Sequence, residues 1–224
     1  MAVSDNEHRH LALLICILLL FIFTPFLVSA PHGTLILNLL AVSVLLTASY
    51  ALSRRGHLFK IAIGLSLLSV VLTWSISLAP SQSLRIAAHG SIVVLVAFFA
   101  VTMLKYALRA GRVNADRIYA AVCVYMLMGY AWAFGYSLLV QLQPDAFALS
   151  SPIVAGDGAG LVMQMRYFSF VTLTTMGYGD IVPRSDMART MAVLEAVTGQ
   201  LYLVALVGRL ISLHIMQPQD ESAP

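Results

Sequence analysis

Six apolar runs divide this chain, each near the length at which a helix crosses a bilayer: Leu11 to Ala30, Thr34 to Leu52, Leu58 to Ala79, Ile86 to Leu108, Ile118 to Leu142 and Met187 to Met216. About 20 apolar residues in a helix cover the hydrocarbon core. An all-α membrane protein with six transmembrane helices is therefore expected. Composition agrees, at 60% hydrophobic and 10% charged residues with a mean hydropathy of +0.88, where soluble domains carry roughly 25% charged residues. Six spans leave little room for a soluble domain within 224 residues.

Breakers and charges separate the first five runs: "PHG", "SRRGH", "PSQSLR" and "RAGRVNADR". "HRH" before the first run and "VSA" at its end resemble a secretory signal. Its apolar core exceeds the roughly 7 to 15 residues typical of signals, so it is expected to stay as a span.

A formal charge of +3, with the positive residues placed between apolar runs, gives no basic face for nucleic acid. Cys16 and Cys123 lie in separate runs and form neither a disulfide framework nor a CxxC metal site. With the N-terminus inside, the cytoplasmic face receives Arg9, Arg54, Arg55, Lys60, Lys105, Arg109, Arg112, Arg117 and Arg209, and the outer face Arg85, Arg166, Arg184 and Arg189. This asymmetry predicts both termini in the cytoplasm, in a plasma or inner membrane.

Between the fifth and sixth runs, residues 143–187 hold a polar stretch, "QPDAFALSSPIVAGDGAG", and a semi-apolar one, "LVMQMRYFSFVTLTT". A helix over Met163 to Thr174 reaches only about 18 Å, so it must enter and leave by one face. Such a re-entrant segment is tolerated where it is buried in protein or lines a wet cavity. It leads into "TTMGYGD", where Gly177 and Gly179 stand at alternate positions. Carbonyls that point the same way along an extended strand need alternate residues at positive φ, which glycine adopts without a Cβ clash. Rings of such carbonyls can replace the hydration shell of a potassium ion.

"TTMGYGD", after a short helix and between two spans, resembles the signature of the tetrameric potassium-channel family, usually TTVGYGD. The resemblance covers roughly Arg117 to His214. It implies a homotetramer in the lipid bilayer with one filter strand per chain, K+ as the permeant ion, no other cofactor and no catalytic residue. Thr175, Met176, Gly177, Tyr178 and Gly179 would form the filter, the first four giving backbone carbonyls and Thr175 its hydroxyl as well. Thr174 would end the pore helix, whose partially negative end favours a cation. Tyr167 and Phe168 would pack beside Tyr178. Met176 replaces the usual Val, and Val171 stands where many relatives carry an acid that pairs with the Asp after the filter, so Asp180 lacks that partner.

The last run resembles the family's inner helix. Ala188, Ala192 and Ala196 form a small-residue stripe for close packing. Gly199 matches the family's hinge glycine, while Gly208 suits tight packing. Glu195 is the single acid in the apolar body of the spans. It is either a hydrogen-bonded structural group behind the filter or a gating group that senses pH or attracts cations.

Residues 1–110 are expected to form a four-helix bundle, 111–216 the pore domain and 217–224 a flexible tail. The bundle has a voltage sensor's topology without its charges. Ile86 to Leu104 contains no Lys or Arg, and His8 to Ala115 no Asp or Glu, whereas a sensor moves roughly three to four charges per subunit. Lys105, Arg109 and Arg112 read as interfacial anchors. His89 and His32 are titratable but suit packing or wetted positions better than proton sensing. The expected function is passive potassium conduction without strong voltage gating. A weakly selective cation channel, or an interaction module that uses the pore part for assembly, are the alternatives.

Overall fold

The computed structural model describes residues 9–28, 33–51, 56–79, 81–108, 115–149 and 158–215. His32, Arg54, Arg55, Arg109, Arg112 and the tail 217–224 lie outside them, as does the middle of the polar stretch, 150–157. Seven helices follow in order: α1 (Arg9–Val28), α2 (Gly33–Ala51), α3 (Gly56–Leu78), α4 (Gln82–Ala107), α5 (Ala115–Leu142), α6 (Gly158–Leu173) and α7 (Asp186–Ile215). A 3-10 turn, Pro144–Ala146, precedes β1 (Phe147–Ala148), which pairs antiparallel with β2 (Val182–Pro183).

The fold is all-α. α1, α3, α4 and α5 are long and apolar enough to cross a membrane. α2, with 19 residues, and α7, with 30, occupy the other two expected runs. Many hydroxyls inside the helices bond along their own turns, which suits an apolar surrounding. Thr47, Thr73, Thr102 and Thr198 each donate to the carbonyl four residues earlier. Ser81 caps α4, its side chain accepting the Leu84 amide at 3.2 Å.

α5 is the central helix, packed against α4 along its length and against α1, α6 and α7. One core joins Leu13 and Ile17 of α1, Leu95, Phe99 and Met103 of α4, Cys123, Val124 and Leu127 of α5, and Tyr202 of α7. A second lies toward the other end of α5, where Tyr136, Leu139, Phe147, Leu161, Met165, Phe168, Ile181 and Ala188 enclose the root of α6. α6 begins at Gly158 instead of Met163, because the helix continues back through Gly-Ala-Gly. At 16 residues it still extends only about 24 Å, short of a span.

Candidate functional site

α6 runs into the 175–179 strand, expected to be the filter, and amides after the helix bond back to its last turn. Thr174 N–H donates to the Phe170 carbonyl at 3.0 Å and Thr175 N–H to Thr172 at 2.9 Å. Met176 and Gly177 both donate to the Val171 carbonyl, at 2.9 and 3.4 Å. The backbone of Val171 anchors the strand, although its side chain stands where an acid was sought. The Thr174 hydroxyl closes on Phe170 at 2.6 Å.

Backbone φ is then positive at every second residue: +58° at Thr175, +56° at Gly177 and +78° at Gly179. A Cβ built at either glycine meets nothing within 4 Å in this chain, so the dihedral, not space, demands glycine there. Thr175 is the single non-glycine at positive φ among the described residues. A β-branched residue there costs about 1–3 kcal/mol, a strain of the kind held at functional sites.

Beyond the filter, Asp180 meets the hydroxyl of Tyr167, an earlier residue of α6, which donates to it; the carboxylate pushes the tyrosine pKa up. That contact gives Asp180 a partner where Val171 offers none. Phe168 does not join them. Its ring sits 5.1 Å from both Tyr136 and Phe147 in edge contacts, on the side of α6 away from the filter. Tyr178 is 67% exposed and Met176 60% exposed in the single chain. The β1–β2 pair ties the chain after Asp180 back to the turn that follows α5, with Arg184 and Ser185 amides donating to the Ala146 carbonyl at 2.8 and 3.2 Å.

Behind the filter, the Tyr125 hydroxyl of α5 donates to the Leu173 carbonyl at 3.2 Å. A Cβ on Gly199 would lie 2.8 Å from that carbonyl oxygen and from the Leu173 side chain. Packing against Leu173 thus requires a residue without a Cβ at 199. The tight packing expected at Gly208 is not met within the chain, where a Cβ would meet nothing within 4 Å. Gly129 of α5 seats α6 in the same manner, since a Cβ there would press 2.6 Å from the Phe170 ring.

Glu195 is fully buried between three helices. Tyr136 of α5 donates to its Oε2 at 2.7 Å, and Ser169 Oγ of α6 lies 2.5 Å from its Oε1 and 2.8 Å from the Gly129 carbonyl. Arg166, counted on the outer face, is buried instead: it donates to the Thr24 hydroxyl of α1 at 2.8 Å and lies 5.0 Å from the centre of the Phe21 ring. His89 is buried too, with Nδ1 2.8 Å from the Arg85 carbonyl and its ring 5.9 Å from that of Phe134. Lys105 is exposed. At the end of α5 opposite the filter, Asp116 accepts the His10 amide at 3.1 Å and the Tyr106 hydroxyl at 2.9 Å, and its Oδ2 lies 2.7 Å from His10 Nδ1. No group of three or more His, Cys, Asp and Glu able to hold a metal occurs among the described residues.

Residues 146–215 match the family described as "Ion channel". Two-pore potassium channel 4 of Arabidopsis thaliana is 34% identical over 68 residues, 30% of this chain and 24% of that protein. Two pore potassium channel b of Oryza sativa subsp. japonica is 39% identical over 67 residues, 30% of this chain and 18% of that protein. Protein LctB of Bacillus caldotenax is 30% identical over 103 residues, 45% of this chain and 74% of that protein. The chain belongs to the potassium channel family.

The channel is a multi-pass membrane protein. It spans about a quarter or less of the length of the plant relatives. No solved structure matches it. The matched region begins at the 3-10 turn and carries the β pair, α6, the filter strand and α7. Sequence reasoning missed Tyr136, Ser169 and Tyr125, which look like ordinary members of apolar helices. It also missed the His10–Asp116 pair. The absence of acids from His8 to Ala115 was a signal there, because it makes Asp116 the first carboxylate after a long gap.

Proposed function

We propose that this channel conducts potassium passively and selectively through rings of Thr175, Met176, Gly177 and Tyr178 carbonyls, with the Thr175 hydroxyl innermost and Gly179 closing the strand. The alternation of positive φ at 175, 177 and 179 carries the reading, because it turns successive carbonyls to one side. A dehydrating cation is then met by protein oxygens in place of water. The carboxy end of α6 points its partial negative charge at the same axis. No bond is made or broken, so no catalytic group and no cofactor beyond the permeant ion are required.

One strand gives one quarter of a ring, so four copies assemble around the pore. In support, α7 leaves an apolar face uncovered, with Val193, Leu194, Val197, Leu201 and Val204 exposed next to the exposed filter. The Lys and Arg distribution favours both termini in the cytoplasm, in a plasma or inner membrane. α4 has Arg85 and Lys105 only near its two ends, which supports conduction without steep voltage dependence.

Purified full-length protein in liposomes tests this directly. Potassium flux far above sodium flux, blocked by barium, is the expected result. Equal sodium flux would mark a weakly selective cation channel, and absence of flux under any voltage, pH or lipid would leave an interaction module. A steep rise of conductance with voltage would refute the view of α4.

A further inference from the structure

Three oxygen–oxygen contacts meet in the closed space behind the filter. They are Tyr136 Oη to Glu195 Oε2 at 2.7 Å, Ser169 Oγ to Glu195 Oε1 at 2.5 Å, and Ser169 Oγ to the Gly129 carbonyl at 2.8 Å. Each such contact needs a proton between its oxygens. Tyr136 and Ser169 have one hydroxyl proton each, and the Gly129 carbonyl has none. Two protons cannot fill three contacts.

A Ser169 proton split between both acceptors would weaken each bond. It would also leave a full negative charge in a site with 0% exposure, where Ser169 and Tyr136 are the polar groups acting on the carboxyl and no cation is among them. The count closes when Glu195 brings the third proton. We infer that Glu195 works as a neutral carboxylic acid that donates from Oε1 to Ser169, so that Ser169 donates onward to Gly129 while Tyr136 donates to Oε2.

In that chain Glu195 is a positioning residue. It fixes Ser169, and through it α6, to α5 and α7 together. Ser169 lies two residues before Val171, whose carbonyl holds the Met176 and Gly177 amides. A shift of Ser169 is therefore passed to the filter within one turn. Its effect on selectivity rests on the filter reading proposed above; its protonation does not.

The experiment has two arms on full-length protein in liposomes. Infrared difference spectra of the parent against Glu195→Gln should contain the carbonyl band of a buried protonated carboxyl, absent from the variant. Potassium-over-sodium flux of Glu195→Gln should stay within about twofold of the parent, because the amide donates to Ser169 and accepts from Tyr136 in the same directions. Glu195→Ala and Ser169→Ala should each lower it by about tenfold, the factor attached to one lost buried hydrogen bond. A carboxylate signature in place of the acid band overturns the inference. So does a Glu195→Gln protein that fails to assemble, or that loses selectivity as far as Glu195→Ala does. A parent that never discriminates potassium from sodium defeats the filter reading, while the infrared arm still reports on Glu195.

Discussion

The pore half and the amino-terminal bundle are both built from apolar helices but are held in different ways. Around the filter, side chains bridge helices. Tyr136, Ser169 and Glu195 join α5, α6 and α7, Tyr125 reaches the end of α6, and Tyr202 of α7 donates to the Ala121 carbonyl of α5 at 2.6 Å. In α2 and α3 the hydroxyls of Ser43, Thr47, Thr73 and Ser75 bond within their own helix. Lipid tails are as apolar as leucine, so hydrophobicity does not choose how helices pair in a bilayer; packing shape and interhelical hydrogen bonds do. The half that carries the 175–179 strand holds those bonds, while His10 of α1 and Tyr106 of α4 meet Asp116 in a polar knot at the other end of α5.

The largest effect is expected inside the filter. Gly177→Ala places an L residue at a φ of +56°, costing about 1–2 kcal/mol per chain. Liposome flux should then show potassium selectivity abolished. At the knot, Asp116→Ala removes the carboxylate that His10 and Tyr106 share and should destabilise the protein by about 1–3 kcal/mol, read as a lowered thermal midpoint in detergent. Selectivity should survive it, and a matching loss of selectivity would break the division between the halves.

Gly199→Ala should cost about 1–3 kcal/mol by overpacking against the Leu173 carbonyl, and Gly208→Ala should leave the midpoint unchanged. Tyr125→Phe removes one bond to Leu173, worth about 1 kcal/mol, and should shorten the time the filter stays conductive in single-channel records. The smallest effect concerns alkaline pH. The Tyr167 pKa is raised, so its bond to Asp180 is fully present below the ordinary tyrosine value of about 10 and is lost only as pH rises through the raised one. Flux should be flat from neutral pH to that point, and Tyr167→Phe should erase any change above it.

The six runs and the filter strand could be read in the sequence because both are local signals. A span is a length of apolar chain, and the filter's dihedrals are written in alternate glycines. What stayed hidden depends on residues far apart. Glu195 stood out as a lone acid, but its partners lie 26 and 59 positions away. Asp180 looked unpaired because an acid was sought at 171, whereas Tyr167 on the same helix supplies a hydroxyl. Phe168 is adjacent in sequence to Tyr167, yet helical geometry turns it about 100° away, into the outer core. Gly199 and Gly208 are alike as letters, and only the position of Leu173 separates them.

The two-residue ladder between Phe147–Ala148 and Val182–Pro183 makes a closed loop of everything between them, α6 and the filter included. The clasp ties the end of α5 to the start of α7, so the two long helices cannot separate there without first breaking the ladder that frames α6.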